Sequence, residues 1–97
     1  MAAYVIANVV WKDLKGMAEY SRLMPPSLEK YGGRILVRGE APEVKEGNLT
    51  LSRLVVIEFP DLEQARAWYG SEEYRPALQI RQHSANNDLM IVEGISL

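Results

Sequence analysis

Four polar residues stand inside otherwise apolar runs, and their types are those of acid–base and anion-binding sites. Asn8 lies in Tyr4-Val5-Ile6-Ala7-Asn8-Val9-Val10, Arg34 and Arg38 flank Ile35-Leu36-Val37, and Glu58 interrupts Leu54-Val55-Val56-Ile57-Glu58-Phe59. A carboxylate and a guanidinium drawn out of water must pair, and such a pair in an apolar cleft can orient or deprotonate a small acidic substrate. The same pair would serve equally to fix the register of a sheet or an interface. His83, the one histidine, stands in Arg81-Gln82-His83-Ser84. There it can act as a base at a cleft mouth or as a haem ligand, or simply as a last-turn cation on a helix surface. Tyr69, Tyr74, Arg75 and Arg81 gather aromatic and basic side chains around the break after Gly70 and could line a pocket between helix and sheet. Tyr69 and its neighbour Trp68 fit equally as core residues. The candidate catalytic residues are therefore Glu58, Arg34 and His83, and the candidate ligand-binding residues are Tyr4, Asn8, Arg38, Tyr69 and Tyr74. A lone histidine without cysteines argues against a structural metal site, and no resident cofactor is expected.

The elements that must position these groups follow from periodicity. Ala3 to Val10 reads as a strand with Tyr4, Ile6, Asn8 and Val10 on one face and the smaller Val5, Ala7 and Val9 on the other, suited to packing under helices. Asp13 can cap a helix whose apolar stripe is Leu14, Met17, Ala18, Ser21 and Met24. Pro25 and Pro26 predict a break, with Pro26 starting a short segment that carries Leu28 and Tyr31 and ends at Gly32-Gly33. Arg34 to Gly39 is the second strand, with Ile35 and Val37 pointing one way and Arg34, Leu36 and Arg38 the other. The polar stretch Glu40 to Thr50 is a long hairpin connection, extended locally by Glu43 to Glu46. Arg53 to Phe59 returns as a strand, with Val55, Ile57 and Phe59 under the helices and Leu54, Val56 and Glu58 opposite. Asp61 with Gln64 is a capping pair for a helix through Leu62, Ala65, Trp68 and Tyr69 to Gly70. Pro76 suits the start of a second helical piece to about Ser84, burying Leu78 and Ile80. Asn86 and Asn87 read as turn residues, Asp88 to Gly94 as the closing strand, and Ile95 to Leu97 as a tail.

Strand, helix, strand, strand, helix, strand is the order of an α+β, ferredoxin-like split arrangement. It predicts an antiparallel sheet in the order 4-1-3-2 with the helices on one face. Antiparallel pairing would then place Glu58 beside Tyr4 and Arg34, with Arg38 and Asn8 toward the other end. The face away from the helices would carry Tyr4, Ile6, Val10, Leu36, Leu54, Val56, Met90 and Val92. At roughly 1.5–3 kcal/mol for each fully buried large apolar side chain, leaving that patch wet forgoes several kcal/mol. The expected partner is a second copy, sheet face against sheet face.

The segments Tyr31-Gly32-Gly33-Arg34-Ile35-Leu36-Val37-Arg38-Gly39, Arg53 to Pro60, Ala65-Arg66-Ala67-Trp68-Tyr69, Ser71-Glu72-Glu73-Tyr74 and Val92-Glu93-Gly94 resemble the domain of unknown function 1330 family. The resemblance runs through nearly the whole chain. It implies a dimeric α+β barrel, a ferredoxin-like fold shared with small oxygenases, isomerases and haem-binding relatives. It implies no settled activity and no catalytic set to transfer.

Composition narrows the partners. The 97 residues suit one domain, 1–97, and 47% hydrophobic with 25% charged residues is ordinary for a globular chain. A net charge of −2 without like-charge runs gives no pull toward nucleic acid or anionic lipid. The third strand also lacks the stacking aromatics of RNA-binding domains with this topology. Gly32-Gly33 follows a helix instead of preceding one, against a dinucleotide-binding loop. Without an apolar span or a leader-like start, no membrane association and a cytoplasmic location are expected. Two functions lead, with a haem-binding protein ranked third. One is a homodimer that holds a small organic molecule in a cleft between sheet and helices, with cofactor-independent oxidation or isomerisation as its chemistry. The other is a non-catalytic dimeric sensor or interaction module with a filled interior.

Overall fold

Strict alternation in the first nine-residue element sets the layering. The structure, a computed structural model, describes residues 1–96. Strand β1, Ala3–Trp11, buries Ala3, Val5, Ala7 and Val9 under the helices and turns Tyr4, Ile6, Asn8 and Val10 to the other face. The remaining elements are α1 (Leu14–Ser27), a short 3-10 helix (Glu29–Tyr31), β2 (Arg34–Glu40), β3 (Leu54–Phe59), α2 (Leu62–Tyr69), α3 (Arg75–Ser84) and β4 (Ala85–Glu93). Residues 41–53 form a connection without helix or strand, so the extension expected over Glu43 to Glu46 is not present. Leu97, assigned to the closing tail from the sequence, lies outside the described residues.

The four-stranded sheet has the order β2-β3-β1-β4 with every pairing antiparallel, which is the expected arrangement. It is open. The outer edges of β2 and β4 face away from each other, so the barrel implied by the family resemblance is not formed. Four strands are too few to curl into a closed cylinder with a packed interior, the common small barrels having about eight.

Caps act where the sequence places them. The Asp13 carboxylate accepts the Lys15 amide at 3.0 Å, and the Asp61 carboxylate accepts the Gln64 amide at 2.8 Å. Three local expectations give way. First, α1 runs through Pro25 and Pro26 to Ser27. The prolines fall in its last turn, and the carbonyls they leave without donors belong to Ser21 and Arg22, which are exposed to water. Second, the inward stripe of α1 is Gly16, Tyr20, Leu23, Met24 and Ser27, with Tyr20 and Leu23 half-buried, while Leu14 and Ala18 face solvent and Ser21 is exposed at the cavity edge. The helix is turned by its close crossing with α3, where a Cβ at Gly16 would collide with Ser84. Third, Asn86 and Asn87 lie within β4, paired with Val10 and Val9, because β1 is long enough to offer them ladder partners. Asn87 nonetheless ends the preceding helix, its Nδ2 donating to the Arg81 and Ala85 carbonyls at 3.3 Å.

The core is aromatic. Trp68 packs on Tyr74 with ring centroids 4.0 Å apart and on Phe59 at 5.4 Å, and all three side chains are fully buried. The Trp68 indole N–H donates to Ser27 Oγ at 3.0 Å, tying α2 to the end of α1. Ser71 Oγ donates to the Trp68 carbonyl and accepts the Tyr74 amide, closing the turn between α2 and α3. No helix among the described residues is long and apolar enough to cross a membrane.

Candidate functional site

Strand β2 decides which polar groups meet, because it carries two irregularities. Arg34 faces Glu58 and Ile35 faces Ile57, but Val37 faces Val56, Arg38 faces Val55 and Glu40 faces Leu54. Leu36 is therefore an extra residue in the ladder, and Gly39, with φ +81, is a second. Beyond the first bulge the faces exchange. Val37 joins the open face beside Val56, and Arg38, expected on the open face, turns to the helix side beside Val55.

On the open face, Arg34 donates to Glu58 Oε1 at 2.6 Å, and the Tyr4 hydroxyl reaches Glu58 Oε2 at 3.4 Å. These three are the neighbours that antiparallel pairing implies. Arg34 is 71% exposed, so in one protomer this is a solvated surface pair. Asn8 stands at the far end of that face, where its Oδ1 accepts the Ser52 amide at 2.9 Å and anchors the long connection.

On the helix side, a cavity of about 170 Å³ opens between the sheet and the helices. Its floor includes Ala7, Val9, Val55 and Leu89, and its roof includes Met17, Tyr20, Met24 and Trp68. Trp11 closes one end, its ring 5.4 Å from that of Tyr20. The polar lining is mainly basic, with Arg81 from α3 inside and the exposed Arg38 and Arg53 at the rim. Arg81 is only 3% exposed, and its Nε–H has no acceptor. Its guanidinium carbon lies 6.0 Å from the Tyr20 ring centroid, a weak cation–π contact. None of the three arginines has a carboxylate within ion-pair distance among the described residues.

The Tyr20 hydroxyl meets the Tyr74 hydroxyl at 2.8 Å behind this lining. Burial pushes both phenols up from their ordinary range, and for Tyr20 the Tyr74 hydrogen bond and the Arg81 charge pull the other way. Both stay neutral at ordinary pH. Tyr74 is thus a core residue next to the cavity, and Tyr69 packs against it at 6.1 Å outside the lining. His83 lies on the exposed end of α3, its Nδ1–H donating to the Gln79 carbonyl at 2.7 Å, and it is not part of the cavity lining. Among the described residues no cluster of three or more His, Asp or Glu side chains is placed to hold a metal ion.

Of the residues singled out from the sequence, Arg38 and Arg81 come together at the cavity, and Tyr4, Arg34 and Glu58 come together on the opposite face. Tyr20, Trp11 and Arg53 were not recognised. For Tyr20 the signal was its spacing of four from Gly16 and from Met24, once Leu14 is set aside as solvent-facing.

Among curated proteins none matches the chain. Solved structures resemble it at low identity, which speaks for the fold. A Rhodopseudomonas palustris protein of unknown function superposes with a TM-score of 0.76 at 17% identity, over 99% of this chain and 84% of that one. A dimeric ferredoxin-like protein of unknown function from Jannaschia sp. CCS1 gives 0.75 at 10% identity, over 97% and 100%. SnoaB, a cofactor-independent oxygenase from Streptomyces nogalater, gives 0.60 at 8% identity, over 99% and 95%. Residues 2–95 match the family model of a domain of unknown function, DUF1330, and the chain belongs to that family.

Proposed function

We propose that the protein binds a small organic molecule, about the size of a single ring, in the cleft between the sheet and the helices. The observation that carries this reading is the cavity of about 170 Å³. Interiors are otherwise packed with few voids larger than a water molecule, and a dry cavity of about 150 Å³ takes up benzene. A filled interior was the expectation of the non-catalytic alternative.

Cofactor-independent oxidation is the reaction to test first, because SnoaB, with the same fold, is a cofactor-independent oxygenase. That support is analogy of fold. The cavity lining contributes no carboxylate, imidazole or thiol. Its residues would therefore orient a substrate and exclude water, and the substrate would arrive already ionised or acidic enough to lose its proton beside a guanidinium.

The open face carries the second part of the proposal, a homodimer. Val10, Leu36, Met90 and Val92 are each 41–52% exposed there, and they form one apolar surface with the half-buried Ile6 and Val56. The Jannaschia protein is described as dimeric. In such a pair the Tyr4–Glu58–Arg34 group would be enclosed and would set the orientation of the two sheets.

The cleft is tested by titrating single-ring compounds while following the indole resonances of Trp11 and Trp68, both in the cavity lining. Saturable shifts that vanish when Ala7→Leu fills the floor support the reading. Binding that survives in the filled variant contradicts it.

A further inference from the structure

The geometry points to a more specific ligand class for this cleft: we infer that the cavity receives a small organic acid whose anionic group is held by Arg81. This rests on the cleft being a binding site, and it goes further by assigning the ligand's charge.

Two independent observations carry the inference. The first is the state of Arg81. A guanidinium almost wholly withdrawn from water normally has a carboxylate partner and uses its five N–H donors. Arg81 is 3% exposed, has no carboxylate partner among the described residues, and keeps a buried Nε–H without an acceptor. What offsets its burial is Tyr20, whose ring centroid lies 6.0 Å away and whose hydroxyl lies close enough to interact with the charge. A guanidinium with an unspent buried donor bordering a cavity is what a carboxylate fits.

The second is the charge of the whole lining. Arg38, Arg53 and Arg81 border the cavity and no Asp or Glu does, in a chain whose formal net charge is −2. The positive potential is thus concentrated at one place in a slightly acidic protein. The two rim arginines come from separate elements, one turned inward by the bulge at Leu36 and the other at the end of the long connection. Gly39 lies against the Arg53 side chain, where an added Cβ would stand 3.7–3.9 Å from it. Rim cations of this kind raise the local concentration of an anion and steer its entry.

Size completes the description. About 170 Å³ admits one ring or a short chain, and apart from Ser21 the walls beyond the arginines are mainly apolar or aromatic. A monocyclic or short-chain carboxylate meets every term: its apolar part occupies the floor over Ala7 and Val55, and its carboxylate turns toward Arg81.

The test uses acids against their neutral amides on the native chain: benzoate against benzamide, and hexanoate against hexanamide, by calorimetry and tryptophan fluorescence. A charge-assisted pair predicts that each acid binds about ten-fold or more tightly than its amide. Arg81→Met should bring acid and amide to within about two-fold of each other. Acids and amides binding equally to the native protein would overturn the charge assignment while leaving the cleft reading intact. Binding by none of the four overturns both, and an acid preference that persists in Arg81→Met removes Arg81 as its source.

Discussion

Replacing Arg81 with methionine should make the ligand-free protein more stable, an unusual outcome for a residue this deeply buried. Methionine keeps an unbranched stem of similar length and deletes the guanidinium. The loss is the cation–π contact with Tyr20 at 6.0 Å, about 0.5–2 kcal/mol. Against it stand two relieved penalties. A buried ion without a partner costs several kcal/mol even after relaxation, and the unsatisfied Nε–H costs about 1–3 kcal/mol. The open rim of the cavity lets water offset part of the first. A net gain of about 1–3 kcal/mol remains, and at about 4–8 °C per kcal/mol for a domain of this size the melting temperature should rise by roughly 4–24 °C. Urea and thermal unfolding monitored by circular dichroism measure both. A destabilisation of more than about 1 kcal/mol would mean that the guanidinium supports the fold, and the argument for an anion acceptor would lose its first premise.

Three other outcomes follow from the same contacts. Ser27→Ala leaves the buried Trp68 indole N–H without its acceptor and should cost about 1–3 kcal/mol in urea unfolding, with Ser27→Thr less affected. Burial raises the Tyr20 and Tyr74 phenols, so the native state keeps protons that the unfolded chain releases. Stability should be complete below about pH 10 and then fall by about 1.4 kcal/mol per pH unit for each phenol as pH rises, with a shallower decline in Tyr20→Phe. Glu58→Gln should cost less than about 1 kcal/mol while Arg34 and Glu58 remain a surface pair, and about 3–5 kcal/mol once a second copy encloses them. Unfolding at low and high protein concentration reads the difference, and an equal small loss at both would tell against the homodimer.

The fold was largely legible because its main signals are local and agree with one another. Alternation in Ala3–Trp11, the Asp61–Gln64 cap and Pro76 at the start of α3 each specify an element, and the rules for connecting them leave few ways to order the strands. The neighbours Tyr4, Arg34 and Glu58 followed from antiparallel pairing alone. What escaped depends on partners distant in sequence. The bulges at Leu36 and Gly39 exist only against β3, so the inward turn of Arg38 has no mark in its own strand. The rotation of α1 is set by Gly16 meeting α3, which exposes Leu14 against its hydropathy. Pro25 and Pro26 read as a break because local rules do not reveal that the carbonyls left open face water. Arg81 was visible as a basic residue near a helix, but its burial without a counter-charge is a property of the assembled cavity. Closure into a barrel came from resemblance and not from the strands themselves, which end in two open edges.

The most direct measurement is the set of intermolecular nuclear Overhauser contacts between unlabelled benzoate and isotope-labelled protein. Contacts from the ring protons to Val9, Trp11 and Val55, with the Arg81 side-chain resonances shifting on saturation, are the predicted result. Contacts confined to Ile6, Val56 and Met90 on the open face, or no contact at saturating benzoate, would contradict the assignment of the cleft as the binding site.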